Sequence, residues 1–264
     1  MNRNGLFALL FHTVFILFIL APLVMVVVVS FTPEAYLSLP WNGLSLRWFA
    51  AIADHPEFVS SFWMSLLVGF IAATSALVLS IPAALAIGRY RFPGRDAVIA
   101  AFLSPLIIPH VVLGVAFLRF YSTTGFLGTI SGLVVAHVII VVPFALRMVL
   151  ASVTTLDRDS ERAAASLGAT PWRIFTRITI PLILPGIAGG WIISFLQSFD
   201  EVTMTVFLAA PGTTTLPVRL LKYMADTIDP LVASVSTVVI VLTFLLMFLV
   251  DRLYGLEKVL VGRG

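Results

Sequence analysis

Cysteine is absent from the 264 residues, which excludes disulfides, thiolate metal sites and cysteine nucleophiles and says nothing about redox compartment. Charge is scarce: 11% of residues are Asp, Glu, Lys or Arg, against ~25% in soluble domains. No G-x-x-x-x-G-K-[ST] phosphate loop occurs, so the chain does not bind and hydrolyse ATP by that mechanism, and energy for any pumping comes from a partner or a gradient. The histidines and carboxylates lack zinc-type spacing and no Ser, His and Asp grouping marks a nucleophile, so no catalytic residue, metal or cofactor is assigned to the chain. The formal charge of +3 is spread between apolar runs, not gathered in a patch with stacking aromatics, which argues against nucleic acid. An inverted repeat of the secondary-carrier kind is not visible.

Apolar sequence fills the space these absences leave. Hydrophobic residues make up 60% of the chain and the mean hydropathy is +1.09. Runs long enough to cross a bilayer, ~18 residues or more, fall at about 6–30, 61–88, 97–118, 128–150, 180–209 and 231–250. The first is longer than the ~7–15 residue apolar core of a cleaved signal, so it reads as a retained anchor helix. Six spans put both termini on one side. Twelve of the sixteen basic residues lie on that side, from Arg3 and the Arg89–Arg95 turn to Arg158–Arg177 and Arg252, leaving Arg47, Arg119, Arg219 and Lys222 opposite. The positive-inside rule then makes both termini cytoplasmic. Segments at about 31–58 and 210–230 are too short for cores of their own, so the whole chain, 1–264, reads as one membrane domain.

A polar island, Glu161 to Pro181, interrupts the apolar pattern with ERAAASLGATPWRIFTRITIP. Asp157, Asp159 or Ser160 can cap a helix that Ala163, Ala164, Ala165 and Leu167 favour, and Gly168 suits a left-handed helix end. Thr170 before Pro171 starts a second helix, on which Trp172, Phe175 and Ile178 recur at helical spacing. By pattern alone the island is equally an interfacial helix lying on lipid.

This island resembles the signature loop of permease subunits of binding-protein-dependent ABC importers, written EAA, three residues, Gly, nine residues, I-x-L-P. Aligned on Gly168, the alanines fall on Ala163 and Ala164, the Ile on Ile178 and the Pro on Pro181, while Arg162 stands where the pattern has Glu and Ile180 where it has Leu. Glu161 is one residue early, about 100° round a helix from the pattern's position. The resemblance implies an all-α membrane protein of six transmembrane helices with the type I importer permease (MetI-like) fold. It has an anchor helix at about 6–30, a core at about 58–252 and a loop at about 155–180 that couples to an ATPase through Glu161, Arg162, Ala163, Ala164, Gly168, Ile178 and Pro181. It also implies a bacterial inner-membrane location and four further partners: a second permease, two ATP-binding subunits that hold ATP and Mg, and a periplasmic solute-binding protein.

Asp200 and Glu201 interrupt the fifth run within SFDEVTMTVFLAAPGTTTLPVRL. Intramembrane carboxylates are costly and tend to face a wet cavity or a partner. Either these two line a solute path, or the span ends near Ser198 and they sit at the headgroup boundary. The surrounding sequence resembles permeases of the spermidine and putrescine branch from about Leu6 to Tyr254, which implies a polyamine or another small organic cation as solute. A different small solute, a gradient-driven carrier and a membrane-embedded enzyme are the alternatives. His110 follows Pro105 and Pro109, which kink the third span and free carbonyls towards a cavity. It joins Asp200 and Glu201 as a candidate path residue, although a lone His in an apolar helix, like His137, is more often a packing residue.

Overall fold

Backbone groups in a hydrocarbon layer must pair within their own segment, so long apolar runs become helices. The computed structural model describes residues 5–254, with no strand among them. In chain order the helices are α1 (Leu6–Val29), α2 (Arg47–Ala51), α3 (Pro56–Arg89), α4 (Arg95–Leu103), α5 (His110–Thr124), α6 (Ile130–Thr155), α7 (Asp159–Ser166) and α8 (Pro171–Ile174), then a π-helical turn Phe175–Thr179, α9 (Ile180–Leu182), α10 (Leu184–Phe199), α11 (Thr205–Leu208), α12 (Leu216–Asp226) and α13 (Leu231–Tyr254).

The helices Phe7–Val29, α3 and α6 are each long and apolar enough to span alone. Two expected spans are broken. Residues 95–106 and 110–124 meet at 97°, and 171–182 and 184–199 at 64°. The first break is sharper than the expected kink, because Pro105 and Pro109 each lack an N–H and Pro109 would press on the carbonyl four residues back. In the fifth segment α10 stops at Phe199 and does not run to 209, with Asp200 as its C-terminal cap. The sixth segment is α13, apolar over Leu231–Leu245.

One compact unit holds 5–60 and 219–249. Its helix α1 is apolar all round and exposes Phe7, Phe18 and Leu17, a surface suited to lipid. Beyond it the chain is tied down: the Trp48 indole donates to the Glu34 carbonyl at 3.0 Å, Arg47 to the Pro33 carbonyl, and the Arg47 guanidinium lies 4.8 Å above the Trp48 ring. Asp229 caps α13 by accepting from the Leu231 N–H, and accepts the Tyr223 hydroxyl with its other oxygen.

The second unit, 61–218 with 250–254, contains the main apolar core, built from Val68, Ala72, Ala76, Ile140, Ala145, Leu146, Val149 and Ile183 among others. Small residues set its closest crossing. A Cβ on Gly186 of α10 would lie 2.3 Å from Ser152 Oγ and 2.7 Å from the Met148 carbonyl of α6, and one on Gly190 would lie 3.4 Å from Ala145. The two glycines are four residues apart, so both face α6 and let the backbones approach. Near Pro143 of α6, the Val142 carbonyl accepts from Ser80 of α3 and the Val141 carbonyl from Ser194 of α10. Both hydroxyls tie α6 to its neighbours through backbone carbonyls, as small polar side chains do between membrane helices.

Candidate coupling loop and solute path

The 155–180 loop folds as helix, turn, helix. None of the three expected residues occupies the N-cap of α7: that position is Arg158, without a side-chain cap bond, and Asp157, one residue earlier, accepts from the Asp159 N–H at 3.0 Å. Helix α7 ends in a Schellman arrangement: Gly168 has φ +81°, and the N–H groups of Gly168 and Ala169 reach back to the Ala165 and Ala164 carbonyls. Thr170 then caps α8, accepting from the Arg173 N–H, with Pro171 at the first helical position.

Side-chain exposure divides the candidate coupling residues. Arg162, Ala163, Gly168 and Pro181 are exposed, and Ala164 and Ile178 half-buried. Arg162 pairs with Asp159 of its own helix at 3.1 Å. Glu161 turns the other way and is 7% exposed. Its Oε1 accepts from Arg89 at the end of α3 at 2.6 Å and from the Thr179 hydroxyl, and Arg158 stands 3.9 Å from Oε2. Burial by itself raises a carboxyl pKa, but the hydrogen bonds from Thr179 and Arg89 and the charges of Arg89 and Arg158 outweigh it, holding Glu161 below the usual 4.5. A cleft of about 290 Å³ opens beside it, bounded by Arg158, Arg162, Ala165, Pro171 and Phe175.

Trp172, Phe175 and Ile178, which recur at helical spacing, do not share one environment. Trp172 is 71% exposed and lies 5.6 Å from the Phe175 ring, while Phe175 and Ile178 are half-buried. A π turn follows directly after α8, and its i→i+5 bonding sets Ile178 and Thr179 at a different angle round the axis from the one a regular α-helix would give. Thr179, which closes that turn, is thereby buried against Glu161.

The acid pair splits. Asp200 is exposed and forms no ion pair among the described residues. Glu201 is 6% exposed: its Oε1 accepts from the Met204 N–H at 2.6 Å and its Oε2 lies 2.7 Å from His110 Nδ1. His110 is thus brought to Glu201 across 91 residues of sequence by the break before α5. Gly114, one turn on, makes the contact possible, since a Cβ there would lie 2.6 Å from the Phe207 ring and 3.1 Å from Met204 Cα. His137 is a fully buried packing residue, as expected of it. Its Nδ1 lies 2.7 Å from Ser198 Oγ and its Nε2 2.9 Å from Thr205 Oγ1, so it bolts α6 to both sides of the Asp200–Met204 turn. Sequence reasoning missed the partners of Glu161, namely Arg89 and Thr179. Arg89 carried a signal only as the last basic residue of its helix, and Thr179 carried none.

Known proteins share both the sequence pattern and the fold. The family model described as binding-protein-dependent transport system inner membrane component matches residues 76–256. The putrescine transport system permease protein PotI of Escherichia coli (strain K12) is 30% identical over 230 residues, 84% of this chain and 82% of that protein. The spermidine/putrescine transport system permease protein PotC of Haemophilus influenzae is 29% identical over 228 residues, 86% and 88% of the two chains. Among solved structures, a bacterial alginate ABC transporter in complex with a pentasaccharide-bound periplasmic protein has a chain that superposes with a TM-score of 0.70 at 20% identity, covering 95% of this chain and 94% of that one.

Proposed function

The chain belongs to the family of inner membrane components of binding-protein-dependent transport systems, and we propose that, as an ABC importer permease, it carries polyamines, putrescine or spermidine, through one half of a pore. A second permease forms the other half, a periplasmic protein delivers the solute, and two ATPase subunits beneath hold ATP and Mg. Both termini and the 155–180 loop face the cytoplasm, where the excess of basic residues lies. ATP-driven closure of the ATPases draws the Ser160–Phe175 helices inward, and the attached α6 and α10 turn the pore from inward- to outward-facing as rigid bodies.

The observation that carries the solute reading is the division of labour at the 200–204 turn. Glu201 is occupied by His110 and by the Met204 N–H, which leaves the exposed carboxylate of Asp200 to attract an ammonium group. At an effective dielectric of about 20, a 4 Å pair is worth about 4 kcal/mol before desolvation is subtracted. The test is putrescine uptake by proteoliposomes containing the whole importer. Asp200→Asn is expected to cut uptake about tenfold, a modest share of that gross attraction, with binding to the isolated periplasmic protein unchanged. Full uptake by Asp200→Asn, or an anionic solute on the periplasmic protein, refutes the cation path and leaves the importer assignment standing.

A further inference from the structure

Glu161 is the one carboxylate of the 155–180 loop that is buried, and it joins three parts of the chain that are distant in sequence. Arg89 closes α3, a 34-residue helix, and Thr179 closes the π turn that leads through α9 into α10. Between them, in the first turn of α7, the single oxygen Oε1 accepts from both. The Arg89 side chain is itself only 17% exposed, so the pair is largely withdrawn from water. Removing one partner of such a pair costs far more than losing a surface bridge, because the other charge is left desolvated.

We propose that Glu161 is a positioning residue for transport: an internal strut that makes α7 move with the end of α3 and the start of α10, and not a contact to the ATPase. A short helix held only by its backbone connections can tilt without moving its neighbours. Helix α7 has eight residues and exposes Arg162, Ala163, Ala165 and Ser166, as does its C-cap Leu167, so little apolar packing holds it. The Arg89–Glu161–Thr179 node supplies the missing stiffness at one point, near where α3 ends and α10 begins. Force applied to the exposed face of α7 then reaches two helices of the core by a path other than the backbone connection through α6. The π turn fits this role, since its extra residue brings Thr179 round to Glu161. This inference rests on the importer assignment and not on the identity of the solute.

The test uses the assembled importer in proteoliposomes, with ATP hydrolysis, putrescine uptake and one distance measured in parallel. As this chain has no cysteine, thiols at Arg91→Cys and Ser166→Cys are its only labelling sites and report the separation of the α3 end from α7. Glu161→Gln keeps the size and one acceptor oxygen but loses the charge and puts an NH2 donor in place of the other oxygen. ATP hydrolysis is expected to stay within about twofold of the parent while solute moved per ATP falls about tenfold, inside the usual range of coupling energies, and the label distance broadens during turnover. Thr179→Val removes one hydrogen bond only and is expected to do the same more weakly; it decides the matter if Glu161→Gln does not assemble. Arg89→Lys is expected to keep most coupling and Arg89→Met to lose it. Unchanged solute per ATP in Glu161→Gln overturns the strut, as does a parallel fall of hydrolysis and uptake with an unchanged label distance, which marks a residue needed for assembly alone. If the parent importer hydrolyses ATP but moves neither putrescine nor spermidine, the solute reading fails, and the label distances still judge the strut.

Discussion

Glu161 and Arg162 are neighbours with opposite fates. Arg162 stands in water beside Asp159, where an exposed pair is worth little, whereas Glu161 is buried under Arg89 and Thr179. Their order follows from helix geometry: one step of about 100° separates an outward from an inward side chain. The depressed pKa of Glu161 has a consequence with a definite sign. A carboxyl whose folded pKa lies below its unfolded value contributes stability that is present above the unfolded value and lost as pH falls through the folded one. The difference in thermal stability between parent and Glu161→Gln is therefore expected to be constant from pH ~8 to about 5.5 and to shrink as pH falls below 4.5. A difference that instead shrinks between about pH 6 and 8 points to a histidine and contradicts this account.

Two glycines show how similar substitutions act through different physics. Gly186 has ordinary helical backbone, but the space for a side chain is taken by Ser152 Oγ and the Met148 carbonyl. Gly186→Ala must push α10 from α6 and is expected to cost about 1–3 kcal/mol, as overpacking does, visible as a lower melting temperature in detergent. Gly168 is the reverse case: nothing lies within 4 Å of the place a Cβ would take, and the strain comes from its φ of +81°. Gly168→Val is expected to cost about 1–2 kcal/mol confined to the loop. Melting should then barely change while ATP-driven uptake falls, and Gly168→Asn, better tolerated in the left-handed region, should recover part of it. A melting point lowered as far as by Gly186→Ala contradicts a local effect.

Across the molecule, the charge asymmetry sets an expected orientation. Twelve basic residues of sixteen on the side of the termini predict that a reporter after Gly264 is cytoplasmic and one near Asn42 periplasmic. Either reporter found on the other side reverses the placement of the 155–180 loop and removes its access to an ATPase. The two bent segments do not alter this expectation if each crosses once. If 95–124 turned back as a re-entrant loop, its 97° bend being the turning point, the termini would lie on opposite sides and the reporters would say so.

The apolar runs, the basic asymmetry and the Ala-Gly-Pro punctuation of the 155–181 loop are local properties, and helix existence, membrane class and the caps at Thr170 and Gly168 were legible from them. A cap needs only residues within a turn of itself, and a span needs only length and hydropathy. The ends of the fifth span were not legible, because apolar sequence continues on both sides of Asp200 and only packing of 204–207 on Gly114 and on α6 decides where the helix stops. The same holds for the acids: one sequence places Asp200 and Glu201 side by side, but only the break before α5 brings His110 to Glu201 and leaves Asp200 exposed. Glu161 makes the point most sharply. Its position in the loop was evident from the sequence, while its partners lie 72 residues before it and 18 after it, distances over which only the folded chain decides contact.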